Sequence, residues 1–257
     1  MWVKAAILGL ILAAAQDPAA DEKKKKEEEA KAKIAEFKKE LKTCKTEGDI
    51  CLALQNLGSL QHLKILQELE VWLRRPQADI CGGAAEQVSK YSKDRIAAEM
   101  LMAAAKSRRD SDGIIKCLRY AGDVGYKPIA PQFPAYFRNK NTDVAREAVD
   151  SLGKLGCAVS VEPLIKLLRE IEGTLDNTGV GGVGGLPGGV GGGMPGGNLP
   201  GGAGGAGSPE EEMRKRQTEL MPAVQRALKS ITGERWGTSK EWDTWWRKNR
   251  GTFKEKE

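Results

Sequence analysis

Histidine is nearly absent from this chain: His62 is the only one in 257 residues. Acid-base catalysts and zinc sites draw on histidine more than on most side chains, so this scarcity removes most hydrolase and metalloenzyme readings. Large aromatics are also sparse, with four Phe and four Tyr. No CxxC pair, no Gly-x-Ser-x-Gly elbow and no Gly-Lys-Ser/Thr ending to a glycine run occurs. Thiol-redox, serine-nucleophile and phosphate-loop chemistries therefore lack their residues. No catalytic residue, cofactor site or metal site is expected, and the chain reads as a non-enzyme.

Long apolar runs are lacking as well. The one near the N-terminus, residues 5–15, has 11 residues, whereas a bilayer-spanning helix needs about 20. Lys4 precedes it, and Ala13, Ala14 and Ala15 close it before Gln16. That is the pattern of a secretory signal peptide over 1–15, which predicts export to a periplasm or the extracellular space. An N-terminal membrane anchor is the alternative. Export permits disulfides, but five cysteines cannot all pair within one chain. Most read as small buried helix residues. Cys51 and Cys81 are the pair favoured for a bond.

What is present divides by place. Lys and Arg number 41 against 35 Asp and Glu, a formal charge of +6, which is only mildly basic. Residues 16–47 are almost entirely Lys, Glu and Ala, with Ile34, Phe37 and Leu41 at helical spacing. They predict a solvated helix whose thin apolar stripe docks on the next helix. Residues 48–173 hold helical stretches separated by Gly, Pro, Asp or Asn, with no alternating strand pattern. Asp49, Asp79, Asp112 and Asp143 recur at intervals of 30, 33 and 31 residues, each placed to cap a helix. Such regular spacing of helical pairs predicts an α-solenoid. Pro128, Pro131 and Pro134 interrupt the pattern, because proline removes a backbone donor and clashes with the preceding turn. Tyr126, Phe133, Tyr136 and Phe137 crowd the same stretch, either as a recognition patch or as a plug filling the space of a broken helix.

Residues 174–208 are dominated by glycine and predict a disordered linker. The collagen period holds from Gly179 through Gly191 and breaks at Met194. Residues 209–257 return to helix, with Leu220, Val224, Leu228 and Ile231 on one face, and then carry Trp236, Trp242, Trp245 and Trp246. Those four indoles are either a structural cap or, with Arg235, Arg247, Lys248 and Arg250, a binding surface.

The stretch 141–172 resembles a HEAT repeat: Asp143, Arg146, Ala148, Leu152 and Gly153 approximate the pattern of its first helix. The ending Ile231, Thr232, Gly233, Trp236, Gly237, Trp242, Trp245, Trp246, Asn249 resembles the closing segment of exported bacterial HEAT-repeat proteins of the PBS-lyase-like type. The resemblance implies an all-α fold, a short solenoid of HEAT-like pairs with a Trp-rich helical cap, and a protein or peptide partner held by the second helices. His62, Lys64, Gln67, Arg95, Glu99, Lys166 and Arg169 are the candidate exposed positions there. No nucleic-acid partner is expected, and the chain is expected to be a monomer. The alternatives are a cell-envelope binding module that uses the basic Trp terminus and, further off, a bilin-lyase-like enzyme.

Overall fold

The computed structural model describes residues 18–177 and 209–254. The expected signal peptide, and the glycine-rich linker from residue 178 onward, lie outside the described residues. The described part is all-helical, with no strand in it. It divides into two compact units between Tyr126 and Lys127, inside the stretch the sequence reads as one series of repeats.

The N-terminal unit holds α1 (Pro18–Glu40), α2 (Glu47–Leu57), α3 (Leu63–Leu73), α4 (Ala78–Ser89), α5 (Arg95–Ser107) and α6 (Ser111–Val124). The Lys/Glu helix docks as its stripe predicts: Ala30 and Phe37 are buried, and Phe37 meets Trp72 of α3 edge-on at 5.5 Å between ring centroids. Lys64 on α3 reaches Glu27 at 2.7 Å. Beyond α1, helices α2, α4 and α6 pack in sequence against one another, and α3 packs against α5. The faces that meet are apolar: Leu54, Leu57, Ile65, Leu69, Ala84, Ala85, Val88, Leu101 and Leu118 are fully shielded. Burial of such side chains contributes about 1.5–3 kcal/mol each for the larger ones.

The caps are displaced from their expected positions. Thr46, not Asp49, caps α2, and Asp49 returns the bond from the third helical position in a capping box. Asp110, not Asp112, caps α6, Asn141, not Asp143, caps α7 (Thr142–Leu155), and Gln77 precedes α4 without a side-chain bond. The acids Asp49, Asp79, Asp112 and Asp143 all fall in the first turn instead. Negative charge there faces the positive end of the helix dipole, which is why the recurrence survives although the capping atom differs.

The C-terminal unit opens with a 3-10 segment, Lys127–Tyr136. Three residues per turn aligns Pro128, Pro131 and Pro134 along one side of that segment, while Ile129, Ala130 and Phe133 turn inward and are buried. Phe137 is buried too. Then follow α7, a 3-10 turn at Ala158–Ser160, α8 (Val161–Asn177), α9 (Pro209–Thr232) and α10 (Ser239–Asn249). Gly156 ends α7 at φ 65°, a left-handed conformation that a side chain disfavours.

Helix α9 packs against both α7 and α8, and α10 packs against α8. The approach of α7 to α9 is close at one point. A Cβ on Gly153 would sit 3.1 Å from the Ala227 Cα, and the Ser230 hydroxyl donates to the Gly153 carbonyl at 3.0 Å. Arg216, near the start of α9, donates to the carbonyls of Phe137 and of Asn139, the latter at 2.6 Å. Those bonds tie the chain after the 3-10 segment to the helix that follows the glycine tract.

Candidate functional site

Helix α10 begins with a second capping box. The Thr238 hydroxyl accepts from the Glu241 amide, and the Glu241 carboxylate accepts from the Thr238 amide at 2.9 Å. Backbone donation from Thr238, the Thr238 hydroxyl and the Gly237 amide hold the Glu241 carboxyl below the usual glutamate range. The amide and hydroxyl of Ser239 both donate to Glu172 of α8, and Arg169 of α8 lies 3.4 Å from Asp243. These contacts seat α10 on α8 and fix which way its indoles face.

The four tryptophans then separate. Trp242 is fully buried and Trp246 nearly so. Trp245 is half-buried, stacked on Trp246 at 6.1 Å and edge-on to Trp242 at 6.0 Å. Phe253 closes the cluster at 5.5 Å from Trp246. The Trp242 indole N–H donates to the carbonyl of Trp236 at 3.0 Å. Trp236 itself is 38% exposed, so its carbonyl supports the cluster while part of its surface faces solvent.

Trp236 lines an open groove of about 670 Å³, together with Pro222, Gln225, Arg226, Lys229, Arg235, Gly237 and Trp242. Three cations line it and, among the described residues, no acid does, although Asp150 and Glu241 adjoin it through Arg226 and Gly237. Arg226 is 3.5 Å from Asp150. Among the described residues neither Lys229 nor Arg235 has an acidic partner. Gln225 donates to the Gly237 carbonyl at 3.1 Å, bracing the groove floor. An aromatic face beside unneutralised cations suits a ligand that carries carboxylates and a flat or apolar group.

Of the cations the sequence offered beside the tryptophans, only Arg235 lines this groove. Arg247 is held by Asp243 at 2.8 Å, and Lys248 and Arg250 are exposed elsewhere on α10 and just beyond it. The residues that the sequence reading missed, Pro222, Gln225, Arg226 and Lys229, were legible as a second face of α9 at helical spacing. Only its apolar face drew notice.

The candidate positions on the second helices are scattered among ordinary roles. His62 caps α3 through Nδ1, which accepts from the Lys64 amide at 3.2 Å. Arg95 and Glu99 pair with each other at 2.8 Å. Gln67 and Lys166 are exposed, and Arg169 joins α8 to α10. No cluster forms among them. The thiol nearest Cys81 is not Cys51 but Cys117, at 3.6 Å. Cys51 instead lies over Gly83, where a Cβ would sit 3.2 Å from its sulfur, and reaches the Asp79 carbonyl at 3.5 Å. All five thiols are free.

Among the described residues, no group of three His, Cys, Asp or Glu is placed to hold a metal ion, and no helix is long and apolar enough to cross a membrane. No family model matches the chain, and no curated protein matches it.

Proposed function

We propose that this chain is an exported, non-catalytic binding scaffold of HEAT-like helical pairs, and that its C-terminal groove receives an acidic peptide segment of a protein partner. The observation that carries the binding reading is the pairing of Trp236 with Lys229 and Arg235, cations that have no acidic partner among the described residues, in one groove. Water and, for Lys229, the C-terminal end of α9 solvate these charges in the free chain, and a ligand carboxylate makes charge-assisted hydrogen bonds to them.

The repeat reading draws support from contacts between equivalent turns. Gln61 donates to the Lys90 carbonyl across 29 residues, and the His62 amide donates to the Tyr91 hydroxyl across the same interval. On the other side of the N-terminal unit, Arg108 reaches the Arg75 carbonyl across 33 residues. In the C-terminal unit, the Cys157 thiol reaches the Lys127 carbonyl across 30. Turn-to-turn bonds at one repeat length are what stacked helical pairs make. Gly153, one of the HEAT-like positions, lies where α9 comes closest to α7.

Titration of a labelled Glu-rich peptide containing one aromatic residue, followed by fluorescence anisotropy, tests the ligand class. Saturable binding that weakens as salt rises supports the reading. Equal binding of a Lys-rich peptide, or binding of neutral polysaccharide with no response to the acidic peptide, overturns it in favour of the cell-envelope alternative.

A further inference from the structure

The N-terminal unit contains one buried pair of thiols that the binding reading does not use. Cys81 on α4 and Cys117 on α6 are both fully shielded from solvent, with their sulfurs 3.6 Å apart. Beside them the Lys116 side chain of α6 lies over Gly82 of α4, where a Cβ would sit 2.5 Å from it. Lys116 in turn reaches across to Asp79 at 2.5 Å and to the Ala78 carbonyl at 3.3 Å, so the first turn of α4 is fastened to the middle of α6. The Lys116 side chain thus ties α6, next to Cys117, to the turn of α4 that precedes Cys81.

We infer that Cys81 and Cys117 are a disulfide site, oxidised by exchange with a small-molecule or protein disulfide as the chain folds. A disulfide needs sulfurs about 2.05 Å apart, so the folded unit accommodates the bond by side-chain rotation that brings the sulfurs closer than their present separation. In the step, the thiolate of one cysteine attacks one sulfur of the donor disulfide and expels one donor thiol. The other cysteine then loses its proton and attacks the protein sulfur of the mixed disulfide, expelling the second donor thiol. One donor disulfide is reduced to two thiols while two protein thiols become one disulfide. The contact with Cys117, reinforced by the Arg108 guanidinium, draws Cys81 below the ordinary thiol range. The same contact and burial push Cys117 up. Those shifts belong to the folded pair; in the open chain either thiolate can attack first.

Complete burial sets the timing. A donor cannot reach either sulfur in the folded unit, so the bond forms before the helices close, and the closed unit afterwards protects it. The bond spans 36 residues and encloses all of α5, which stabilises by restricting the unfolded chain. This inference does not rest on the ligand groove, which lies in the other unit.

The test is refolding of the reduced, unfolded full chain in a buffer of oxidised and reduced glutathione. Free thiols are then alkylated and the linked peptides identified by mass spectrometry. The expected map links Cys81 to Cys117, leaves Cys44, Cys51 and Cys157 alkylated, and shows a Tm above that of the reduced chain by on the order of 10 °C. Cys117→Ala is expected to lose that oxidation-dependent difference. A map with Cys51 linked to Cys81, or with Cys81 and Cys117 both alkylated, overturns the inference. The wild-type map decides the question even where the variant fails to fold.

Discussion

Arg108 and Asp110 face each other through two parallel hydrogen bonds, Nε to Oδ1 at 2.8 Å and Nη2 to Oδ2 at 2.9 Å. The same guanidinium donates to the carbonyls of Leu73, Arg75 and Pro76, while Asp110 caps α6 by accepting from the Gly113 amide at 2.8 Å. One planar fork thus joins the α3–α4 turn to the α5–α6 turn. With its side chain only 5% exposed, Arg108 leaves three carbonyls and a carboxylate without their partner when removed. Arg108→Ala is expected to destabilise the protein by about 2–4 kcal/mol in urea unfolding. Arg108→Lys should recover little of this, because a point charge cannot reproduce the fork.

Gly153 and Ala227 set the distance between α7 and α9. A Cβ at Gly153 has 3.1 Å to the Ala227 backbone, which cannot yield as a flexible side chain could. Gly153→Val is expected to cost about 1–3 kcal/mol in the same assay. An Ala227→Gly partner change should return part of that loss, since it removes the Ala227 methyl from the same contact.

Trp242 and Trp236 should behave differently. Trp242 is 1% exposed, so Trp242→Ala is expected to cost about 3–5 kcal/mol and to diminish the helical circular-dichroism signal on mild heating. Trp236→Ala should cost less, about 1–2 kcal/mol, because Trp236 keeps 38% of its surface exposed, yet abolish most acidic-peptide binding.

Acid should loosen two helix starts. Asp49 is held below the usual aspartate range by backbone donation from Lys45 and Thr46, and Glu241 is depressed by its bonds at Thr238. A carboxyl whose folded value is depressed contributes stability above its unfolded value, near pH 4, and that contribution is lost as the pH falls through the lower folded value. Thermal unfolding followed from pH 5 to 2 should therefore show a fall in Tm that Asp49→Asn and Glu241→Gln each make shallower.

Much of the helical layout was legible because apolar residues recur at helical spacing from Ile50 to Ile171 and again from Leu220 to Ile231. The capping residues were less so. First-turn acids and true caps differ by two or three positions, and both satisfy the same end of the helix. The three prolines announced a broken helix but not a 3-10 one, because only the buried Phe133 and Phe137 select which side turns inward. The groove was half legible: Trp236 and Arg235 stand in an aromatic-rich run, and Arg226 and Lys229 recur at helical spacing on a second face of α9, but nothing in that spacing says that the segment after α9 folds back onto it. The Cys81 and Cys117 contact depends on α4 packing on α6, a relationship between helices that cysteine spacing does not encode.

The central claim is that the C-terminal groove binds acidic peptide through Trp236. Indole N–H resonances of the assigned tryptophans, followed by nuclear magnetic resonance as the Glu-rich peptide is added, test it most directly. A saturable shift of the Trp236 signal is expected while the Trp246 signal stays in place. An unmoved Trp236 signal at saturating peptide, or equal shifts at Trp236 and Trp246, would contradict it.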